Sequence, residues 1–166
     1  MILVGGGSRS GKTRLALDLA AGMGSKLLYV ATAELFDDEM RHRAEAHRAE
    51  RGSRFETVEA PRDVAGAVRE HVGRYDAVVI DCLTLWVSNL LLDGVDDLRA
   101  HGEELAAACS GRPVVLVTNE VGCGIVPENE LARRFRDEAG WMNQRMAEAA
   151  DAVYWSVFGC ALKVKG

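Results

Sequence analysis

Gly6-Gly7-Ser8-Arg9-Ser10-Gly11-Lys12-Thr13 follows the apolar run Ile2-Leu3-Val4 and precedes Arg14-Leu15-Ala16-Leu17, a stretch with helical apolar spacing. The eight residues fit G-x-x-x-x-G-K-[ST], a loop that cradles phosphate between a strand and a helix. Glycines let the backbone turn so that successive N–H groups converge on an anion. Lys12 adds a full positive charge toward terminal phosphates, which makes it a candidate catalytic cation, and the Thr13 hydroxyl is suited to ligate Mg²⁺. The helix that follows aims its N-terminus at the same anion. Glycine- and serine-rich turns also join strands to helices without any ligand. All the fixed positions together, in a strand–loop–helix context, favour a bound nucleotide.

Working outward from the loop, short apolar runs alternate with amphipathic segments, the pattern of a parallel sheet covered by helices. Strands are expected at Ile2 to Gly5, Lys26 to Ala31, Phe55 to Val58, Ala77 to Asp81 and Pro113 to Thr118. Two terminal strands, Ala152 to Val157 and Ala161 to Val164, flank Gly159. Helices are expected at Lys12 to Ala21, Asp37 to Arg51, Val64 to Val72, Leu83 to Leu92, Leu98 to Cys109 and Glu130 to Ala150, the last with a possible break at Gly140. Val121 to Asn129 reads as a glycine- and proline-marked loop. The fold class is α/β: a three-layer P-loop nucleoside triphosphatase architecture, with a mainly parallel, RecA-like sheet, helices on both faces and an antiparallel terminal strand. No repeat or linker interrupts it, so residues 1–166 are expected to form a single domain.

Composition narrows the setting. The 166 residues are 48% hydrophobic and 27% charged, as in ordinary globular proteins. A formal net charge of −5 argues against nucleic acid as a non-specific partner, because phosphate backbones require concentrated Lys and Arg. Cys82, Cys109, Cys123 and Cys160 are too scattered for a zinc site or a disulfide framework, so reduced thiols in a cytoplasmic protein are expected. The amino-terminal residues read as a core strand and not a signal peptide, and no apolar stretch reaches the length of a membrane span.

Asp81 ends the run Val78-Val79-Ile80, and a carboxylate at a strand end beside the glycine loop suits Mg²⁺. Its plainer role is to cap the next helix. Asn119 and Glu120 follow another strand and reach the same edge, either as ligand contacts or as the polar start of a loop. In Asp37 to Arg51, helical spacing puts Met40, Ala44 and His47 on one face, with Arg43 and Arg51 each four residues from His47. Cationic neighbours favour neutral, nucleophilic imidazole and can hold phosphate oxygens. Spacing alone equally allows a solvated surface histidine, and His42, His71 and His101 are no better marked.

Taken together, the segments GGGSRSGKTRLA, LLYVATA, DDEMRHRAEAHRAER, TVEAP, VIDCLTLWVSNLL, VTNEVGCGIVPENELARRFRDEAGWMNQRMAEAAD and VFGCALKVK resemble the bifunctional adenosylcobinamide kinase / adenosylcobinamide-phosphate guanylyltransferase family (the CobU/CobP type). The resemblance implies a two-step enzyme of adenosylcobalamin synthesis. ATP or GTP phosphorylates adenosylcobinamide; GTP then transfers GMP to an enzyme histidine with loss of pyrophosphate, and adenosylcobinamide phosphate takes the GMP to give adenosylcobinamide-GDP. It implies that His47, within E-M-x-x-R-x-x-x-H, is the guanylylated residue. It carries GTP contacts onto Gly6, Gly7, Ser8, Arg9, Ser10, Gly11, Lys12 and Thr13, onto Ala31, Thr32 and Ala33, onto Arg48, Ala49, Glu50 and Arg51, and onto Glu59 and Asp81. Mg²⁺ is the implied metal and a homotrimer the implied assembly. Glu59 has a physical reading too, since a carboxylate can accept from the N1–H and amino group of guanine. Ala46 stands where some members have a second histidine, and Asp93 to Gly111 is short. Trp86 and Trp141 could contact a flat macrocycle, although core packing is their commoner role. Two other readings remain at this point: a small-molecule kinase without a covalent step, and a nucleotide-driven switch or ATPase.

Overall fold

The structure, a computed structural model, describes residues 1–34 and 52–166. In chain order these form β1 (Ile2–Gly6), α1 (Lys12–Ala21), β2 (Leu27–Ala31), a short 3-10 turn (Gly52–Arg54), β3 (Phe55–Glu59), α2 (Val64–His71), β4 (Ala77–Asp81), α3 (Leu83–Leu92), α4 (Leu98–Cys109), β5 (Val114–Asn119), α5 (Glu130–Ala149), β6 (Ala152–Val157) and β7 (Cys160–Lys165). The expected helix at 37–51, with His42 and His47, lies outside the described residues.

The strands join in one seven-stranded sheet, ordered β3-β2-β4-β5-β1-β6-β7. Every neighbouring pair is parallel except β6 with β7, which form an antiparallel hairpin. Parallel strands buried on both faces read as unbroken apolar runs, and alternate residues serve opposite layers. Thus Leu28 and Val30 of β2 enter one core cluster with Trp86, Leu105, Met142 and Met146, while Leu27 and Tyr29 enter the other with Ala16 and Ala20 of α1. Among the described helices, α1 covers one face and the other four contribute to the cluster on the opposite face. This is the mainly parallel three-layer sheet with an antiparallel terminal strand that the alternation suggests.

The last helix is long, as expected, and Gly140 does not break it: α5 runs continuously from Glu130 to Ala149. Its start is fixed by Asn129, whose side chain accepts from the Ala132 N–H at 3.0 Å. Burial of Ala139, Met142 and Met146 against the sheet outweighs the poor helix propensity of one glycine. Among the described residues, no helix is long and apolar enough to cross a membrane.

Candidate active site

The glycine loop leaves the carboxyl end of β1 and closes onto the first turn of α1. Gly11 adopts φ of 92°, a left-handed conformation that side chains disfavour, and caps α1 without any side-chain hydrogen bond. The first amides of α1 are therefore left to an anion for an acceptor. Gly6 is equally constrained, since a Cβ there would lie 2.5 Å from the Ser156 carbonyl oxygen and 2.6 Å from Ser10 Oγ. Ser10 Oγ is buried with no hydrogen-bond partner among the described residues, although buried hydroxyls ordinarily find one. Lys12 is 9% exposed, and its Nζ donates to the Gly7 carbonyl at 3.0 Å, which folds the side chain over the loop. Burial lowers its pKa, against an opposing pull from the Asp81 carboxylate. An unmatched hydroxyl, an uncapped helix start and a desolvated cation all suit phosphate oxygens.

Behind the loop, Thr13 and Asp81 come together as their residue types suggested. Thr13 Oγ1 donates to Asp81 Oδ2 at 3.0 Å. The buried Tyr29 hydroxyl donates to the same oxygen at 2.9 Å. Tyr29 was not singled out from sequence, because a tyrosine inside LLYVA reads as a core residue of β2. A single carboxylate oxygen thus takes two hydroxyl donors, which orients the group at the strand end. Asp81 does not cap α3, whose N-cap is Cys82. Hard oxygen donors of this kind fit Mg²⁺, which keeps several waters and shares its shell with substrate phosphates. Among the described residues no cluster of three or more His, Cys, Asp or Glu could hold a metal unaided.

Sheet register sets the rest of the edge. Ala31 pairs with Asp81 on one side and with Glu59 on the other, so these three residues lie in one row across β4, β2 and β3. With strands about 4.8 Å apart, the exposed Glu59 stands roughly 10 Å from Asp81. Thr32 has its groups engaged within the protein. Its hydroxyl donates to the Cys82 carbonyl and accepts from the Cys82 N–H, both at 2.8 Å, while its own N–H donates to the Asp81 carbonyl at 3.1 Å. Asn89 Nδ2 donates to the Thr32 and Pro61 carbonyls at 2.8 and 2.9 Å, tying the ends of β2 and β3 to α3. Ala33 follows on the same edge. His47, Arg48, Ala49, Glu50 and Arg51 lie outside the described residues.

The loop after β5 behaves more plainly. Burial would push the Glu120 carboxyl up, but the Cys123 and Gly122 hydrogen bonds and the nearby Arg136 leave it below the usual carboxylate range. Both of its oxygens accept N–H groups of its own loop, from Gly122 at 2.6 Å and Cys123 at 2.9 Å. Glu120 therefore acts as a loop cap. Asn119 is fixed through its backbone, with its N–H donating to Thr84 Oγ1 at 2.7 Å and its carbonyl accepting from Asn143 Nδ2 at 3.3 Å. Trp86 is 1% exposed and donates its indole N–H to the Arg62 carbonyl at 2.6 Å, so it is a core aromatic. Trp141 is partly buried against the same core, with the Arg99 guanidinium 5.1 Å over its ring.

The terminal hairpin also reaches the loop, a contact no local pattern announces. Ser156 Oγ donates to the Ser10 carbonyl at 2.8 Å, and the Gly159 N–H donates to the same oxygen at 3.0 Å.

Comparison with known proteins supplies what geometry alone does not. Residues 2–164 match the family described as "Cobinamide kinase / cobinamide phosphate guanyltransferase". The chain is 45% identical to the bifunctional adenosylcobalamin biosynthesis protein CobU of Salmonella typhimurium and 42% identical to CobU of Escherichia coli, covering 99% of this chain and of each relative. It is 44% identical to the bifunctional adenosylcobalamin biosynthesis protein CobP of Pseudomonas aeruginosa, over 99% of this chain and 96% of that protein.

Proposed function

This chain belongs to the cobinamide kinase / cobinamide phosphate guanyltransferase family, and on that premise we propose how its residues divide two reactions of adenosylcobalamin biosynthesis. The chain is a transferase that first phosphorylates adenosylcobinamide and then converts the phosphate to adenosylcobinamide-GDP. The observation that carries the division of labour is the glycine loop, with Lys12 folded over it and the Thr13–Asp81 pair behind it, at one end of a row that runs to Glu59.

In the kinase step, the hydroxyl oxygen of the corrinoid's side arm attacks the terminal phosphorus of ATP or GTP. The bond from that phosphorus to the bridging oxygen breaks, the nucleoside diphosphate leaves, and the hydroxyl proton is released. Phosphoryl transfer asks the protein mainly for positioning and charge stabilisation. Gly6 to Thr13 would hold the phosphates, and Lys12 would balance charge gathering on the bridging oxygen. Thr13 and Asp81 would hold Mg²⁺, which when bound neutralises phosphate charge. Tyr29 would keep the Asp81 carboxylate in one orientation.

In the guanylyl step, a ring nitrogen of neutral His47 attacks the α-phosphorus of GTP and pyrophosphate leaves. The phosphate oxygen of adenosylcobinamide phosphate then attacks the phosphorus of the GMP-histidine and frees the imidazole. Covalent catalysis of this kind divides one displacement into two easier ones. The glycine loop grips terminal phosphates, whereas His47 must meet the α-phosphorus. The row from Asp81 through Ala31 to Glu59 offers a path along which GTP extends, with Glu59 accepting from guanine. Ala31 to Ala33 and Arg48 to Arg51 would flank that path.

A homotrimer in the cytoplasm completes the proposal. Apolar side chains exposed on β7, Leu162 and Val164, support a chain that buries surface against copies of itself.

The test is product analysis with adenosylcobinamide, GTP and Mg²⁺. Expected is adenosylcobinamide phosphate first, then adenosylcobinamide-GDP with one pyrophosphate released per GMP transferred, and neither product from Lys12→Ala. Accumulation of the phosphate alone would support a kinase lacking the second step. Triphosphate hydrolysis without corrinoid modification would support a switch.

A further inference from the structure

Phe158 and Gly159 turn the chain between β6 and β7 with φ of 52° and 75°, both left-handed. Two such residues in a row give the mirror-image turn that suits the twist of a hairpin, and asparagine or glycine normally takes the first position. Phenylalanine there is conformationally disfavoured. Nor does burial offset this, because Phe158 is 96% exposed. Neither the backbone nor the core asks for an aromatic ring at this position.

The position itself is fixed against the phosphate loop. The Ser10 carbonyl accepts from both Ser156 Oγ and the Gly159 N–H. Gly11 is so close that a Cβ built on it would lie 3.3 Å from Gly159 Cα. A triphosphate gripped at Lys12 and Thr13 must carry its nucleoside out of the loop along one flank or the other. One flank is the Asp81–Ala31–Glu59 row. The other is this hairpin, on the opposite side of β1 in the strand order.

We propose that Phe158 is a stacking platform for the base of the nucleoside triphosphate that donates the terminal phosphoryl group. The inference rests on the kinase reading above and deepens it. Stacking on an aromatic face is tolerant of base identity, because every base has a π-face. A platform of this kind accepts ATP and GTP alike for phosphoryl transfer. Glu59, reading the hydrogen-bonding edge of guanine on the other flank, restricts the guanylyl step to GTP. The two half-reactions then use one phosphate loop with the nucleoside leaving in opposite directions.

The test compares Phe158→Asn and Phe158→Tyr with the unaltered chain, using calorimetric binding of non-hydrolysable ATP and GTP analogues and of inorganic tripolyphosphate, each with Mg²⁺. Asparagine suits the left-handed turn, so the first variant keeps or raises the thermal midpoint. It is expected to weaken the ATP analogue about tenfold or more, in keeping with the loss of one stacked base, and the GTP analogue less, because guanine keeps the Glu59 flank, while tripolyphosphate binding is unchanged. Phe158→Tyr keeps nucleotide affinity within about twofold, because the π-face is retained. Unchanged affinity of Phe158→Asn for the ATP analogue overturns the platform. A change only in its oligomeric state overturns it too, and assigns the ring to a contact between copies. Failure of the unaltered chain to bind tripolyphosphate rejects the reading of the loop itself, separately from Phe158.

Discussion

Lys12 is a cation held where cations are disfavoured, and the consequence is measurable. Burial depresses its pKa below the ordinary 10.5, with Asp81 only partly offsetting the shift. In the folded chain without ligand, the ammonium therefore loses its proton at lower pH than a free lysine. Between that point and 10.5 the unfolded chain binds more protons, so this residue makes stability rise with pH across that window. Triphosphate binding runs the other way, because it needs the charged form and its negative charge raises the lysine pKa. Affinity for tripolyphosphate is expected to fall as pH rises through the depressed pKa, with proton uptake on binding in that range. Lys12→Arg, which stays charged, should lose the fall while binding at neutral pH is retained. A calorimetric pH series reads both, and a flat profile for the unaltered chain contradicts this placement of Lys12.

Single residues also show where the chain was legible. Gly6 to Thr13 could be read because each position serves one local structure. Asp81 could be read because it ends an apolar run. Tyr29 could not, since its hydroxyl meets Asp81 only through pairing of β2 with β4. Glu120 had two readings, and the loop's own N–H groups decide for the cap. Thr32, which the family resemblance marks as a GTP contact, also has polar groups that bind the start of α3 and the end of β4, a role no local pattern announces.

At the scale of elements, α4 and α5 carry a contrasting pair of glycines. Gly140 lies in mid-helix, and an added Cβ would meet nothing within 4 Å among the described residues. Alanine there is expected to stabilise the fold by about 0.5–1 kcal/mol, from propensity and reduced freedom of the unfolded chain. Gly102 in α4 is buried, and a Cβ would press to 3.0 Å from the Trp141 ring and 3.1 Å from Met142. Gly102→Ala gains the same propensity but crowds the packing of α4 on α5, so it should be less stable than Gly140→Ala. Denaturant midpoints of the two variants check the ordering. The sequence raised the prospect of a break at Gly140 because propensity is local, while the apolar stripe that holds α5 straight gains its energy only on docking.

Over the described residues, the kinds and limits of elements followed from the alternation of apolar runs with amphipathic stretches, to within a residue, while the expected helix at 37–51 lies outside them. The order of strands did not. That β5 lies between β4 and β1, and that Glu59 shares a row with Asp81, are facts of tertiary pairing with no local signature. The contact of the terminal hairpin with Ser10 joins residues 146 positions apart and belongs to the same class. The resemblance to the family could be read across almost the full chain because its long segment NEVGCGIVPENELARRFRDEAGWMNQ answers to no general nucleotide-binding rule. The proposed nucleophile stands apart, since His47 lies outside the described residues and the role proposed for it rests on the motif E-M-x-x-R-x-x-x-H.

The most direct measurement is therefore covalent. The chain is incubated with α-labelled GTP and Mg²⁺, denatured, and its peptides are mapped by mass spectrometry. An acid-labile, base-stable GMP adduct is expected on His47, absent from His47→Ala and retained in His42→Ala. An adduct on any other side chain, undiminished labelling of His47→Ala, or no adduct at all would contradict the central claim.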